Sequence, residues 1–178
     1  MPLILITPLS AVPSAMQSHA PSHLVSLLSA QYMIDTPEGF PAERHLRLAL
    51  HDIADPQGDQ APAREHVDRL IQFGRGWGAK APMLVHCWAG VSRSTASAYT
   101  ILCDKAGPGC EHDIAQELRA RAPHAQPNKL IVQLADEALG RGGAMVRAVD
   151  VIGSGVMVTE GVPVEMPLAF GPFAIGRP

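Results

Sequence analysis

The chain has 178 residues, of which 47% are hydrophobic and 17% charged, and a formal net charge of −3. That length supports one sizeable core and is short for two, and the composition excludes a largely disordered polymer. The 14 Lys and Arg are scattered along the sequence, so neither nucleic acid nor an anionic membrane surface is an expected partner.

The opening segment, MPLILITPLSAVPSA, lacks a basic leading region and is interrupted by Pro2, Pro8 and Pro13, so no secretory leader is expected. Apolar runs at Leu3 to Ile6, Leu24 to Leu28, Leu46 to Leu50 and Met83 to His86 read as short strands. Between the last two, Arg64 to Trp77 places Val67, Leu70, Ile71 and Trp77 on one helical face. Strands alternating with helices predict parallel pairing through right-handed crossovers, and therefore an α/β fold with a central, mostly parallel sheet of four or five strands flanked by helices. Further on, Ser94 to Ala106 reads as a helix stopped by Gly107-Pro108-Gly109. Glu111 to Arg121 and Asn128 to Leu139 follow, the last with Asn128 placed to cap it and Gly140 to end it. Met145 to Val151 and Val156 to Thr159, split by Gly153-Ser154-Gly155, suggest a C-terminal β-hairpin. Residues 140 to 178 are thus expected to be an extension packed on a domain formed by residues 1 to 139.

No apolar run approaches the ~18 to 20 residues of a membrane span. Cys87, Cys103 and Cys110 are odd in number and lack paired spacing, which argues against a disulfide framework or a structural zinc site and favours a reducing, cytoplasmic setting. His45, His51, His112 and His124 show no metal-ligand pattern, so no metal or other cofactor is expected.

The stretch VHCWAGVSRSTA, residues 85 to 96, carries the chemistry. Val85 ends a strand, residues 87 to 93 turn, and Arg93 opens a helix whose free N–H groups and positive dipole end face the turn. Amides of Trp88, Ala89, Gly90, Val91 and Ser92 can form a concave nest for a tetrahedral oxyanion, with Gly90 removing a side chain where backbone must come close. The same field favours the thiolate of Cys87, making it a nucleophile. Arg93 offers a planar fork for two phosphate oxygens, and the Ser94 hydroxyl can bond the sulfur as it leaves. A structural reading, with Cys87 in the core and Arg93 a surface charge, leaves a cation at a helix N-terminus with nothing to neutralise it.

This segment, His86-Cys87, five residues, then Arg93-Ser94, resembles the signature loop of the cysteine-dependent protein tyrosine phosphatases, and HCWAGVSRS is most similar to their dual-specificity branch. SHLVSLLS resembles that family's second strand, and RAPHAQPNKLIVQL, residues 121 to 134, its segment leading into the final helix. The likeness covers residues 1 to 139, and the mid-chain loop argues against the low-molecular-weight phosphatases. The resemblance implies hydrolysis of phosphate monoesters through a phosphocysteine, on a phosphorylated protein or small phosphate ester, with phosphate, sulfate or vanadate as site ligands. It also implies an acidic residue on an upstream loop. Asp52, Asp55 and Asp59 are the candidates in LALHDIADPQGDQAP, residues 48 to 62. Asp52 is preferred because it directly follows a strand end, where ligands of parallel sheets bind, while Asp55 before Pro56 remains open.

His86 should face away from Cys87 and order the loop from behind, whereas Trp88 could line the pocket or pack beneath it. No segment supplies an obvious aromatic clamp, and with two Tyr, two Trp and four Phe a shallow dual-specificity site is expected. A non-catalytic phosphate-binding module and a rhodanese-like sulfurtransferase or arsenate reductase are the alternatives. Neither needs both Ser94 and a proton-donating aspartate.

Overall fold

The structure, a computed structural model, describes residues 2 to 170 and the backbone of 173 and 174. Four apolar segments form parallel strands, β1 (Leu3–Pro8), β2 (His23–Leu28), β3 (His45–Ala49) and β4 (Met83–Cys87). A fifth, β5 (Val164–Pro167), adds antiparallel to β1, giving the order β3-β2-β4-β1-β5. Central strands are apolar on both sides because both faces of the sheet are covered, as parallel sheets require.

Helix α1 (Val12–His19) covers one face, its Val12 and Ala15 packing with Leu5, Leu24 and Leu84. On the other face lie α2 (Arg64–Gly76), α3 (Arg93–Ala106), α4 (Glu111–Arg121), α5 (Lys129–Leu139) and α6 (Ala144–Ile152), around a core that includes Ile6, Val25, Leu70, Val85, Tyr99, Ile114, Ile131 and Met145. The stop signals act where expected: α3 ends at Gly107 (φ 84°), and α5 is capped by the Asn128 side chain and closed by left-handed Gly140 (φ 63°).

The expected hairpin over Met145 to Thr159 does not form; Met145 to Val151 lies inside α6, and Val156 to Thr159 has no strand partner among the described residues. Apolar, β-branched content suggested strands, but Met145, Ala148, Val149 and Ile152 recur at the helical interval and face the core. Tertiary burial of that stripe outweighs local preference. The strand of this region lies farther on, in β5, with a short β6 (Ala169–Phe170) paired to β7 (Phe173–Ala174) beyond it.

One buried ion pair joins the extension to the helical layer. Arg141 Nη1 donates to Glu111 Oε1 at 2.9 Å and Nη2 to the Cys103 carbonyl at 2.9 Å, with both charged side chains under a tenth exposed. Arg141→Leu strands the Glu111 carboxylate in the interior. Such breakage costs about 3–5 kcal/mol. Urea unfolding should show a midpoint lowered accordingly, and an unchanged midpoint would remove this pair from the account of stability.

Candidate active site

β4 delivers Cys87 to the carboxyl edge of the sheet, in register with Pro8 of β1, and the chain then turns through residues 88 to 92 into α3. Cys87 is buried, and its Sγ lies 3.2 Å from Ser94 Oγ. Gly90 holds φ 70° and lies so close to β1 that a Cβ there would meet Pro8 N at 2.6 Å and Thr7 C at 2.8 Å. Only glycine fits that combination.

The loop is held from behind through its carbonyls. Trp88 O accepts from Leu9 N (3.0 Å) and Ala89 O from Gly161 N (2.8 Å). Val91 O accepts from Gln126 N (2.9 Å), and Ser92 O from Ala96 N (3.0 Å) and Asn128 N (3.3 Å). Thr95 Oγ1 adds bonds to Val91 O (2.7 Å) and Ser92 O (2.9 Å). In a trans peptide plane the N–H of the next residue points opposite to the carbonyl, so carbonyls drawn outward turn the N–H groups inward. Among the described residues, none of the N–H groups of Ala89 to Ser92 donates to a protein acceptor. Together with the first turn of α3 they form a ring of donors suited to a tetrahedral anion.

Arg93 belongs to this ring and is 6% exposed. Nη1 is pinned to the Leu50 carbonyl at the end of β3 (2.9 Å), and buried Nε has no partner among the described residues. No Asp or Glu of the described residues pairs with it. A buried cation at a helix N-terminus without a carboxylate is unfavourable unless an anion completes the site.

Of the three acidic candidates, the structure brings Asp52 to the loop. Its Oδ1 accepts from Ser92 Oγ (2.7 Å) and Asn128 Nδ2 (2.9 Å), leaving Oδ2 without a hydrogen bond among the described residues. Asp55 instead closes its own turn, accepting from Gln57 N at 2.9 Å, and Asp59 is exposed. Asn128, read from sequence as a cap, also holds Asp52 and the Ile53 carbonyl, a second role that its position before a helix does not reveal.

Trp88 points outward, 51% exposed, and tilts against Tyr32 at 5.0 Å between ring centroids, so an aromatic pair stands beside the loop where none was expected. Cys103 is fully buried in α3, where burial pushes its thiol pKa up, and Cys110 is buried at the start of α4. No cluster of three or more His, Cys, Asp or Glu among the described residues could hold a metal.

Behind Cys87 runs a buried polar chain on the α1 face. His86 Nε2 meets Ser26 Oγ at 2.6 Å, Ser26 Oγ meets His45 Nε2 at 2.8 Å, and Thr36 Oγ1 meets His45 Nδ1 at 2.9 Å. Burial, above all, lowers both histidines to about 4.

No family model matches the chain, and no curated protein does. Solved structures do. The crystal structure of DUSP15 matches with a TM-score of 0.57 and 21% identity, over 85% of this chain and 91% of that one. PTPMT1 in complex with PI(5)P matches at 0.48 and 16%, over 80% and 90%, and the Cydia pomonella PTP-2 phosphatase at 0.41 and 15%, over 92% and 94%. The first likeness shows the fold: the chain shares the α/β architecture of DUSP15.

The buried histidines make stability pH-dependent. Their folded values, about 4, lie below the ~6.5 of an unfolded histidine, so the unfolded chain takes up protons first as pH falls. Stability is fully present above pH ~6.5 and is lost on acidification toward about 4, by on the order of 3 kcal/mol for His86 alone. Urea midpoints at pH 7.5 and 5.0 measure it; equal midpoints would show that these rings are not held neutral by the fold.

Proposed function

We propose that this protein is a cysteine-dependent phosphatase that hydrolyses phosphate monoesters through a phosphocysteine intermediate. The observation that carries the reading is Arg93: a buried guanidinium without a carboxylate partner among the described residues, at the mouth of a donor-lined loop that also contains Cys87.

The parts divide the work as follows. Loop amides and Arg93 hold the three non-bridging oxygens and stabilise the charge of the transferring phosphoryl group. Sγ of Cys87 attacks phosphorus in line; the S–P bond forms as the bond to the ester oxygen breaks, and Asp52 gives its proton to that oxygen. In the second step the Asp52 carboxylate takes a proton from water as the water oxygen attacks phosphorus. The S–P bond breaks, inorganic phosphate leaves, and Ser94 Oγ donates to the departing sulfur. Among the acidic candidates only Asp52 is tied to the loop, which favours this reading over an inert phosphate-binding module or a sulfurtransferase.

For substrate, the Tyr32–Trp88 pair supports an aryl ester, phosphotyrosine in a protein or peptide, in preference to a phosphorylated alcohol. An aromatic leaving group in the loop can pack beside the exposed indole. Reducing surroundings suit a free catalytic thiol, consistent with a cytoplasmic protein.

Cys87→Ser should abolish turnover of p-nitrophenyl phosphate while retaining binding of phosphate esters, and substantial residual turnover would refute the covalent route. Asp52→Asn should lower kcat by about 10² to 10⁴. Near-normal turnover would pass the role to Asp55. Trp88→Ala should raise KM for a phosphotyrosine peptide by roughly three- to tenfold and leave that for a phosphoserine peptide nearly unchanged; equal effects would remove the aryl preference. Release of phosphate, rather than persulfide from thiosulfate or arsenite from arsenate, separates this activity from its alternatives.

A further inference from the structure

The segment from Gly153 to Pro163 has a burial pattern that side-chain packing does not explain. Val156, Met157, Val158 and Val162 are exposed, Met157 almost completely, and the one buried residue of the stretch is Gly161. The segment is held instead by polar contacts with the elements that surround the phosphate loop. Gly155 N donates to Gln126 Oε1 (3.0 Å), Val156 N to the Pro123 carbonyl (2.8 Å), and Ser10 Oγ to Glu160 Oε1 (2.9 Å). Gly161 N donates to the Ala89 carbonyl (2.8 Å), within the loop itself.

A side chain at residue 161 would crowd the ring of His124. A Cβ at Gly161 would meet His124 Nε2 at 2.5 Å and the Gly90 carbonyl at 3.2 Å. Glycine at 161 therefore lets the strap lie against the His124 ring, with the Gly90 carbonyl also close by.

The other outward carbonyls of the loop take their donors from Leu9, Gln126, Asn128 and the first turn of α3. Ala89 takes its donor from residue 161, well beyond the segment of recognisable signature. The Ala89 carbonyl shares its peptide plane with the Gly90 N–H, and fixing one fixes the other. Gly90 holds a positive φ and has no side chain to lock this plane, and glycine's backbone freedom leaves other orientations open to it.

We propose that Gly161 is a positioning residue: its backbone N–H holds the Ala89–Gly90 peptide plane so that Gly90 N–H faces the bound oxyanion, making the C-terminal strap part of the phosphate-binding apparatus. The proposal rests on the phosphatase reading above and adds a component to its binding loop. Losing the contact frees a carbonyl partner and lets the plane rotate, which weakens anion binding by roughly five- to tenfold, the usual worth of one hydrogen bond.

The test is tungstate affinity, read as inhibition of p-nitrophenyl phosphate turnover and by direct calorimetry, well below the melting temperature. Gly161→Pro removes the donor, and Gly161→Ala pushes the strap off His124; both should weaken tungstate, the proline variant by at least fivefold. Arg141→Leu, destabilised at a distant ion pair, should bind tungstate as the unaltered chain does, which separates positioning from loss of stability. Amide exchange on the unaltered chain provides a second measurement that needs no variant to fold: since coupling is reciprocal, tungstate should slow exchange at Gly161. Unchanged affinity in both Gly161 variants, or exchange at Gly161 indifferent to tungstate, overturns the proposal while leaving the phosphatase reading intact. An unaltered chain that neither binds tungstate nor releases phosphate overturns both.

Discussion

The site depends on the orientation of a few peptide planes. A loop whose N–H groups converge has carbonyls that diverge, and each diverging carbonyl needs a donor or loses a hydrogen bond. Here those donors come from the end of β1, from the segment before α5, from the first turn of α3 and from the strap before β5. Convergence of donors on one point also creates a positive region, which the buried Arg93 reinforces. In the free protein this arrangement is electrostatically costly, and a bound dianion would relieve the cost. The same features that make the loop hard to assemble make it selective for its ligand.

The histidine chain complements this design. His86 is buried beside Cys87 and linked through Ser26 to buried His45 on β3, and protonating His86 would place another cation close to Arg93. Both have their ring values lowered by burial, so near neutral pH they serve as uncharged hydrogen-bond partners of Ser26. Positive potential at the loop then comes from directed amides and one guanidinium rather than from a diffuse cluster. That arrangement favours a small tetrahedral anion over a large polyanion, in keeping with a scattered distribution of basic residues.

Much of this was legible in the sequence because the loop is local. Strand, turn and helix follow one another within a dozen residues, so side-chain identity, Gly90 and helix polarity constrain one another there. Asp52 could be preferred by its place at a strand end, and the structure puts it against Ser92. The aromatic pair was not legible, since Tyr32 and Trp88 are far apart in sequence and meet only through the sheet. Nor was the pairing of Asn128 with Asp52, which needs α5 and the end of β3 side by side. The α6 region misled because its β-branched residues favour strands locally, while its apolar stripe fits a helix packed on α4 and α5.

The strap lay furthest beyond sequence reading, for a physical reason. Sequence patterns record side chains, and this segment acts through main-chain N–H groups that every residue but proline possesses. Its one compositional trace is Gly161, indistinguishable in sequence from the nearby glycines of ordinary turns. What sets Gly161 apart is proximity: it lies against His124 and the loop, in the segment that leads into β5 at the sheet edge. On the proposal above, the loop is complete only with this strap in place. By this account the proposed phosphate nest is a property of the whole fold rather than of its signature segment, and a chain retaining residues 85 to 96 without the strap would keep the chemical groups and lose part of their orientation.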